Sequence, residues 1–224
     1  MIKISKRLEI ISSLIPMDSN VLDVGCDHGL LDIYICQKGI AKKIIASDIN
    51  DNALSNAKKN IGNNNLTSHI ETRLGNGLDV LNDNDNINTI IISGMGAHTI
   101  IGILKNNLEK LKDIETIIIQ SNTKLFFLRK EITKLNYLID NEIMIEDNKK
   151  VYTIIKLIKG KKKYTKKELY FGPILLKNNN KIFQEYNKKE LEKLKLFLKL
   201  LPKNNIIDRY KIKKEIRLYH NIIE

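Results

Sequence analysis

Two glycines in the segment VLDVGCDHG stand where an apolar run gives way to polar residues. The spacing of Gly25 and Gly29 allows the backbone to turn sharply beneath a ligand and to point its amides at it. The dinucleotide fingerprint G-x-G-x-x-G needs glycine at positions where this chain has Asp27 and Leu30. The loop therefore predicts a nucleotide-type site that lacks the usual pyrophosphate cradle.

A second acid follows nineteen residues after Gly29, in the segment SDIN, where Asp48 ends an apolar run. A carboxylate at the tip of the second strand can accept hydrogen bonds from both hydroxyls of a ribose. S-adenosylmethionine contains a ribose but no pyrophosphate, so its loop tolerates Asp27 where a dinucleotide site needs glycine. Asp27, or Asp23 before the turn, can also face the ammonium group of that molecule. The sequence therefore favours a methyl donor over NAD.

Two further strand ends carry residues that suit the same cofactor. The segment LGNGLDV places Asn76 where methyltransferases put a side chain near the amino group of adenine. The segment IISGMGAHT places Gly94, Met95 and Gly96 beside the sulfonium, where the methyl group is transferred. We expect S-adenosylmethionine, with S-adenosylhomocysteine as its product, to be bound by Asp23, Gly25, Asp27, Gly29, Asp48, Ile49, Asn76, Gly77 and Ser93.

Several other chemistries lack the residues that they need. The sequence contains no N-P-P-Y motif for the usual adenine-N6 methylation and no Pro-Cys pair for covalent cytosine-C5 methylation. Its four histidines are scattered, so we expect no metal site. Cys26 and Cys36 form no C-x-x-C pair, which favours a reducing cytoplasm over a disulfide framework. No apolar segment is long enough to cross a bilayer, so we expect no membrane association.

Alternating strand and helix signals must position these residues. An amphipathic first helix, with Ile4, Leu8 and Ile11 at helical spacing, precedes five apolar, β-branched runs separated by helical segments. Repeated βα units with short connections predict an α/β fold with a parallel sheet covered on both faces. We predict strands at Val21–Val24, Ile44–Ser47, Thr67–Arg73, Thr89–Ser93 and Thr116–Gln120, helices at Leu30–Gln37, Asn52–Asn60, His98–Leu108 and Lys124–Leu135, and loops at Gly62–Asn65 and Asn82–Asn88.

The segment that follows breaks this alternation. Two strand-like runs, Tyr137–Ile145 and Val151–Lys159, are joined by a polar turn at Glu146–Lys150 with no room for a helix. They should pair as a hairpin and add an antiparallel strand to the sheet. A terminal hairpin is the arrangement of class I methyltransferases, whereas a dehydrogenase Rossmann domain normally ends in another βα crossover. We therefore predict a Rossmann-like class I methyltransferase sheet.

Charge is concentrated at the carboxyl-terminal end of the chain. Residues 1–159 carry 20 Lys and Arg against 19 Asp and Glu, whereas residues 160–224 carry 18 against 7. Narrow apolar stripes in Asn178–Leu201 and Asn205–Ile223 predict two helices that pair as a coiled-coil hairpin. We predict a cofactor-binding domain over residues 1–160 and a basic helical domain, suited to a polyanion, over residues 161–224.

Three stretches together carry a more specific signal: VLDVGCDHGLLDIYI, SDINDNALSNAKKNI and TIIISGMGAHTIIGIL. They resemble the bacterial tRNA adenine-22 N1-methyltransferase family, which has Gly followed by Asp-His in its first motif and Gly-Met-Gly-Gly after strand four. Ala97 stands at the last of these positions here. The resemblance covers most of residues 1–160, and the basic helices suit the C-terminal coiled-coil domain of that family.

The resemblance implies S-adenosylmethionine-dependent methylation of N1 of adenine 22 in tRNA, which makes tRNA the expected partner; no obligate protein partner is evident. The backbone of Gly94, Met95 and Gly96 would hold the edge of the base. Asp27 is the candidate for stabilising the cationic product ring or removing a proton from N6, although it could equally bind the cofactor.

Other interpretations of the sequence are open. The chain could be a class I methyltransferase acting on another RNA or on a small molecule, and its basic tail disfavours the small molecule. A nucleic-acid-binding protein without catalytic activity is a third interpretation, made less favourable by the intact set of Gly25, Gly29 and Asp48. An NAD-dependent dehydrogenase is the least favoured.

Overall fold

A computed structural model describes residues 1–223, whose centre is a single seven-stranded sheet. The strands are β1 (Ser19–Val24), β2 (Ala41–Asp48), β3 (Ile70–Leu74), β4 (Thr89–Met95), β5 (Thr116–Ser121), β6 (Tyr137–Asp147) and β7 (Lys150–Lys159). Their order across the sheet is β3-β2-β1-β4-β5-β7-β6. β1 to β5 are parallel, whereas β7 is antiparallel to both β5 and β6.

Helices cover both faces of this sheet. They are α1 (Lys6–Ser13), α2 (Leu30–Gln37), α3 (Asp51–Asn63), α4 (Ala97–Lys105), α5 (Leu125–Ile132), α6 (Lys166–Phe171), α7 (Pro173–Asn178), α8 (Lys181–Leu200) and α9 (Ile206–Ile223). Every residue of β5 is buried, as expected for a central strand covered on both faces. The predicted α/β fold and its parallel sheet are confirmed, and so is the first helix, although it begins at Lys6 and leaves the predicted Ile4 outside it.

The terminal hairpin is also confirmed, with a tighter turn than predicted. β6 runs to Asp147 and β7 begins at Lys150, so only Asn148 and Lys149 connect them. Both have positive φ, 49° and 63°, which is the conformation of a two-residue turn that matches strand twist. Because β7 rather than β6 pairs with β5, the last strand in sequence lies inside the sheet.

Several predicted boundaries were wrong; α4, for example, ends at Lys105 rather than at Leu108. α3 continues through Gly62 to Asn63, because the buried side chain of Ile61 keeps the last turn on the core. β3 begins at Ile70 rather than Thr67, since the preceding residues form a turn. The predicted loop Asn82–Asn88 contains a short 3-10 turn at Asp83–Asp85.

The C-terminal segment packs directly on the hairpin. Met144 of β6 shares an apolar cluster with Phe171, Phe183, Leu191 and Tyr219, which belong to α6, α8 and α9. α8 and α9 pack against each other, so the predicted pair of helices is confirmed. Their supercoiling and the division into two domains stay predictions. Residue 224, the end of the second predicted domain, lies outside the described residues.

No helix in residues 1–223 has the length and apolar character needed to span a membrane.

Candidate active site

The carboxyl ends of β1 to β4 open into one cavity of about 720 Å³, which we call the cofactor cavity. One side of it is closed by the segment before α1 and by the first turn of α1, through Lys3, Ile4, Ser5, Arg7 and Leu8. The cavity brings together most of the residues that the sequence singled out, namely Asp23, Gly25, Asp27, Asp48, Ile49, Asn76, Gly77, Ser93, Gly94 and Met95. Two predicted residues, Gly29 and Gly96, do not line it.

Backbone contacts fix the loop after β1. The N–H groups of Gly25 and Cys26 donate to the carbonyl of Ser47 at 2.8 and 2.9 Å, which ties this loop to the end of β2. Gly25 has φ +78°, and a Cβ at this position would overlap the methyl carbon of Met95. The positive φ favours glycine at this position, and the absence of a Cβ leaves room for the end of the Met95 side chain at the floor of the cavity.

Asp48 presents a partly satisfied carboxylate to the cavity. Its Oδ2 accepts from the N–H of Asp27 at 3.2 Å, and its Oδ1 accepts from the N–H of Asn50 at 2.8 Å. A carboxylate has about four acceptor positions, so capacity remains for the two hydroxyls of a ribose. The neighbouring Ile49 is 69% exposed and offers an apolar surface to a purine ring at the lip of the cavity.

Asp23 is a buried carboxyl at the cavity wall. Burial is the main cause that raises its pKa to about 7; the charge of Asp48 adds to the rise and Arg7 opposes it. Behind it on α2, Asp32 is fully buried, and its carboxylate oxygens accept no hydrogen bond from the described residues. Burial, then the charge of Asp23, raises the pKa of Asp32. A cation entering beside Asp23 would stabilise its ionised form.

The two glycines outside the cavity begin helices instead. Gly29 precedes α2, and a Cβ there would lie 3.2 Å from the Cβ of Ala57 on α3, so its small size serves helix packing. Gly96 precedes α4. Within residues 1–223, no group of three or more His, Cys, Asp or Glu side chains is arranged to hold a metal ion.

Sequence reasoning missed a polar network at the end of β5. Gly94 lies at a bulge in β4 with φ +78°. Its N–H donates to Oε1 of Gln120 at 3.0 Å, and its carbonyl accepts from Nδ2 of Asn122 at 2.8 Å. Arg7 Nη1 also donates to Gln120 Oε1, at 2.9 Å. A detectable signal existed, because polar residues follow the fifth apolar run just as they follow the first four.

These residues fit S-adenosylmethionine. One cavity contains Asp48, whose carboxylate can bind a ribose, the buried carboxyl of Asp23, which can face an ammonium group, and Gly25, which leaves space at the floor. The cavity and the sheet order, with its terminal antiparallel hairpin, define a class I methyltransferase. The family model for tRNA (adenine(22)-N(1))-methyltransferase matches residues 21–221. The chain belongs to this family and is accordingly a tRNA methyltransferase.

Individual relatives agree with this assignment. A tRNA (adenine(22)-N(1))-methyltransferase of Bacillus subtilis is 30% identical over 197 residues, which cover 85% of this chain and 82% of the relative. A putative tRNA (m1A22) methyltransferase of Streptococcus pneumoniae, solved with S-adenosyl-L-methionine, has a TM-score of 0.93 at 31% identity and covers 99% of this chain and 100% of its own. M. capricolum TrmK, solved with S-adenosyl-homocysteine, has a TM-score of 0.90 at 34% identity, with 98% and 97% covered.

Proposed function

We propose that this protein transfers the methyl group of S-adenosylmethionine to N1 of adenine 22 in tRNA, with the cofactor held in the cofactor cavity. The observation that carries the proposal is that four strand ends converge on one cavity. Its lining includes two carboxylates, Asp48 and Asp23, for two different groups of the ligand. In this assignment Asp48 binds the ribose hydroxyls and Asp23 faces the ammonium group. Ile49 covers the purine ring, and the side-chain amide of Asn76 forms a hydrogen bond with the edge of that ring.

Bound S-adenosylmethionine supplies an electrophilic methyl group on a sulfonium. The task of the protein is therefore to orient the acceptor in line with that methyl group and to exclude water. The main chain of Gly94 to Gly96 is the proposed support for the base, because Gly94 and Met95 line the cavity beside the donor. N1 lies on the Watson–Crick edge, so a paired adenine must be unpaired before it can react.

Asp27 is better assigned to the cofactor than to the acceptor. It lines the cofactor cavity, its N–H donates to Asp48, and its side chain is 73% exposed. The assignment is tested by Asp27→Ala: parallel losses of cofactor affinity and turnover support it. A loss confined to turnover would instead support a role at the substrate.

The C-terminal segment is proposed to bind the tRNA phosphates. Several of its cations are exposed and make no ion pair among the described residues, namely Lys188, Lys189, Lys213, Lys214 and Arg217. Such side chains release counterions when they contact phosphate, so their contribution falls steeply with salt.

The function is tested by incubating transcribed tRNA with the protein and labelled S-adenosylmethionine, then mapping the methylated nucleotide by mass spectrometry. Methylation at N1 of adenine 22 is the expected result. Methylation of another RNA or of a small molecule, with tRNA unmodified, would favour the second interpretation of the sequence. Absence of S-adenosylmethionine binding in calorimetry would favour the third, a nucleic-acid-binding protein without catalytic activity.

The tRNA surface is tested by a charge reversal with a matched control. Lys188→Glu with Lys189→Glu should weaken tRNA binding and reduce the slope of log K against log salt by up to about 0.7–0.9 per lost phosphate contact. Lys58→Glu with Lys59→Glu, a pair on α3 that is also exposed, should leave both quantities unchanged. Equal effects of the two reversals would exclude a specific role for the C-terminal segment. The cytoplasmic location stays a prediction.

A further inference from the structure

A second cavity, of about 860 Å³, shares Gly94 with the cofactor cavity. Most of its walls come from three parts of the chain: residues 120–126 at the end of β5, the β6–β7 hairpin, and α6, α8 and α9. Gly94 is the one residue predicted from the sequence that lines it. The residues that line it thus come from both predicted domains.

The two cavities are adjacent, because Arg7 and Gly94 line both of them. Arg7 is held between the walls of the second cavity. Its Nη1 donates to Gln120 at the end of β5, its guanidinium lies 5.5 Å from the ring centre of Tyr152 on β7, and its main-chain N–H donates to Asp147 at 3.1 Å. An acceptor in the second cavity would therefore reach the donor across Gly94.

The lining of the second cavity suits an unpaired nucleotide. Phe126, Tyr152 and Tyr170 are half-buried aromatic side chains in its wall, and Lys124 and Lys150 are exposed cations. Proteins that bind single-stranded RNA stack bases on aromatic rings and neutralise the phosphates with Lys and Arg. A volume of this size lies within the range of about 300–1,000 Å³ found for ligand cavities.

We propose that the second cavity receives the target adenosine of tRNA, and that the C-terminal helices complete this acceptor site as well as binding phosphates elsewhere. This inference rests on the proposed function. Tyr170 of α6, Tyr186 of α8 and Tyr219 of α9 all line the cavity, so the acceptor site is incomplete without residues 161–223.

A buried contact fixes the contribution of α6. Arg129 on α5 donates through Nη1 to the carbonyls of Leu169 and Tyr170, at 3.3 and 3.1 Å. Its partner Glu142 on β6 accepts from the N–H of Ile174 at 3.1 Å. Arg129 on α5 thus fixes the main chain of α6 at Tyr170, so this part of the cavity wall is held in place by a residue outside the C-terminal segment.

The test fills the second cavity from its exposed edge without touching the first. Thr123 is exposed and lines the second cavity but not the first, whereas Thr67 is also exposed and lines neither. With Thr123→Trp we expect kcat/KM for tRNA to fall by about tenfold or more, because the base can no longer be placed beside the donor. Affinity for S-adenosylmethionine should stay within about twofold, and Thr67→Trp should match the wild type in both assays.

A second variant approaches the opposite wall by charge. Lys150→Glu should lower kcat/KM for tRNA and leave S-adenosylmethionine affinity unchanged. This variant tests the inference even if Thr123→Trp fails to fold. Wild-type methylation by both Thr123→Trp and Lys150→Glu would overturn the inference while leaving the proposed function intact. Failure of the wild-type protein to methylate tRNA would instead refute the proposed function.

Discussion

Arg129 on α5 and Glu142 on β6 form an ion pair inside the protein, with 2.7 Å between Nε and Oε1 and side-chain exposures of 1% and 0%. Nη1 of Arg129 and Oε2 of Glu142 bind the main chain of α6 and α7. A buried ion pair therefore holds the C-terminal segment against the sheet, through partly buried hydrogen bonds to its main chain.

Removing one partner of this pair should destabilise the fold. Glu142→Gln leaves the charge of Arg129 buried without compensation, and we expect the free energy of unfolding to fall by about 3–5 kcal/mol in urea titration. The control is Glu185→Gln, which breaks an exposed pair with Lys181 and should change stability by less than about 0.5 kcal/mol. Similar losses for the two variants would contradict the structural role of the buried pair.

The close approach at Gly25 predicts a selective loss of cofactor binding. Gly25→Ala adds a side chain at a positive φ and must displace the terminal methyl group of Met95, which lines the cavity, so we expect S-adenosylmethionine affinity measured by calorimetry to fall by about tenfold or more. Gly39→Ala is the matched control, because Gly39 also has positive φ but nothing lies within 4 Å of an added Cβ. It should lose about 1 kcal/mol of stability and keep its affinity. Unchanged affinity in Gly25→Ala would show that the space left by Gly25 is not needed for cofactor binding.

The Asn122 amide should matter for turnover more than for binding. Asn122→Ala removes the donor to the carbonyl of Gly94, so the bulge between the two cavities loses one of its two side-chain supports. We expect kcat/KM for tRNA to fall by about tenfold with S-adenosylmethionine affinity within about twofold. Asn84→Ala, an exposed loop asparagine, should match the wild type. Equal activity of both variants would exclude a positioning role for Asn122.

Asp23 predicts an unusual pH dependence of stability. Its pKa of about 7 in the folded protein exceeds the ordinary value of 3.8, so the folded state binds more protons between these pH values than the unfolded state. The free energy of unfolding should therefore fall as the pH rises from about 4 to about 7, and Asp32 acts in the same direction. Asp23→Asn should flatten this part of the profile in urea titrations.

Asp85 provides the control of opposite sign. Hydrogen bonding from Arg73 is the main cause that lowers the pKa of Asp85, so its stabilising contribution is present above the ordinary carboxyl pKa and is lost on acidification. Asp85→Asn should alter the acid limb, below about pH 4, and keep the slope between pH 4 and 7. A wild-type slope in Asp23→Asn would show that Asp23 is not the titrating group.

The cofactor side of the site was predictable from sequence because the carboxyl ends of parallel strands meet at one edge of a sheet. Asp48 and Asn76 each follow an apolar run, and both line the cavity. The acceptor side was not predicted, because its residues come from distant parts of the chain. Arg7 and Gln120 are 113 residues apart, and no periodicity connects them. Gly29 was assigned to the ligand because a glycine that packs against Ala57 looks the same in sequence as one that approaches a cofactor.

The inserted position of β7 has a consequence for the order of assembly during synthesis. β5 leaves the ribosome early, but its outer edge is paired by residues 154–158 of β7. Until those residues emerge, the run Ile117 to Ile119 presents unpaired backbone at a free sheet edge, which is a template for association with other chains. β6, although made before β7, has no strand of the sheet to join until β7 has docked. The sheet is thus completed only when β7, the last strand to be synthesised, takes its place between β5 and β6.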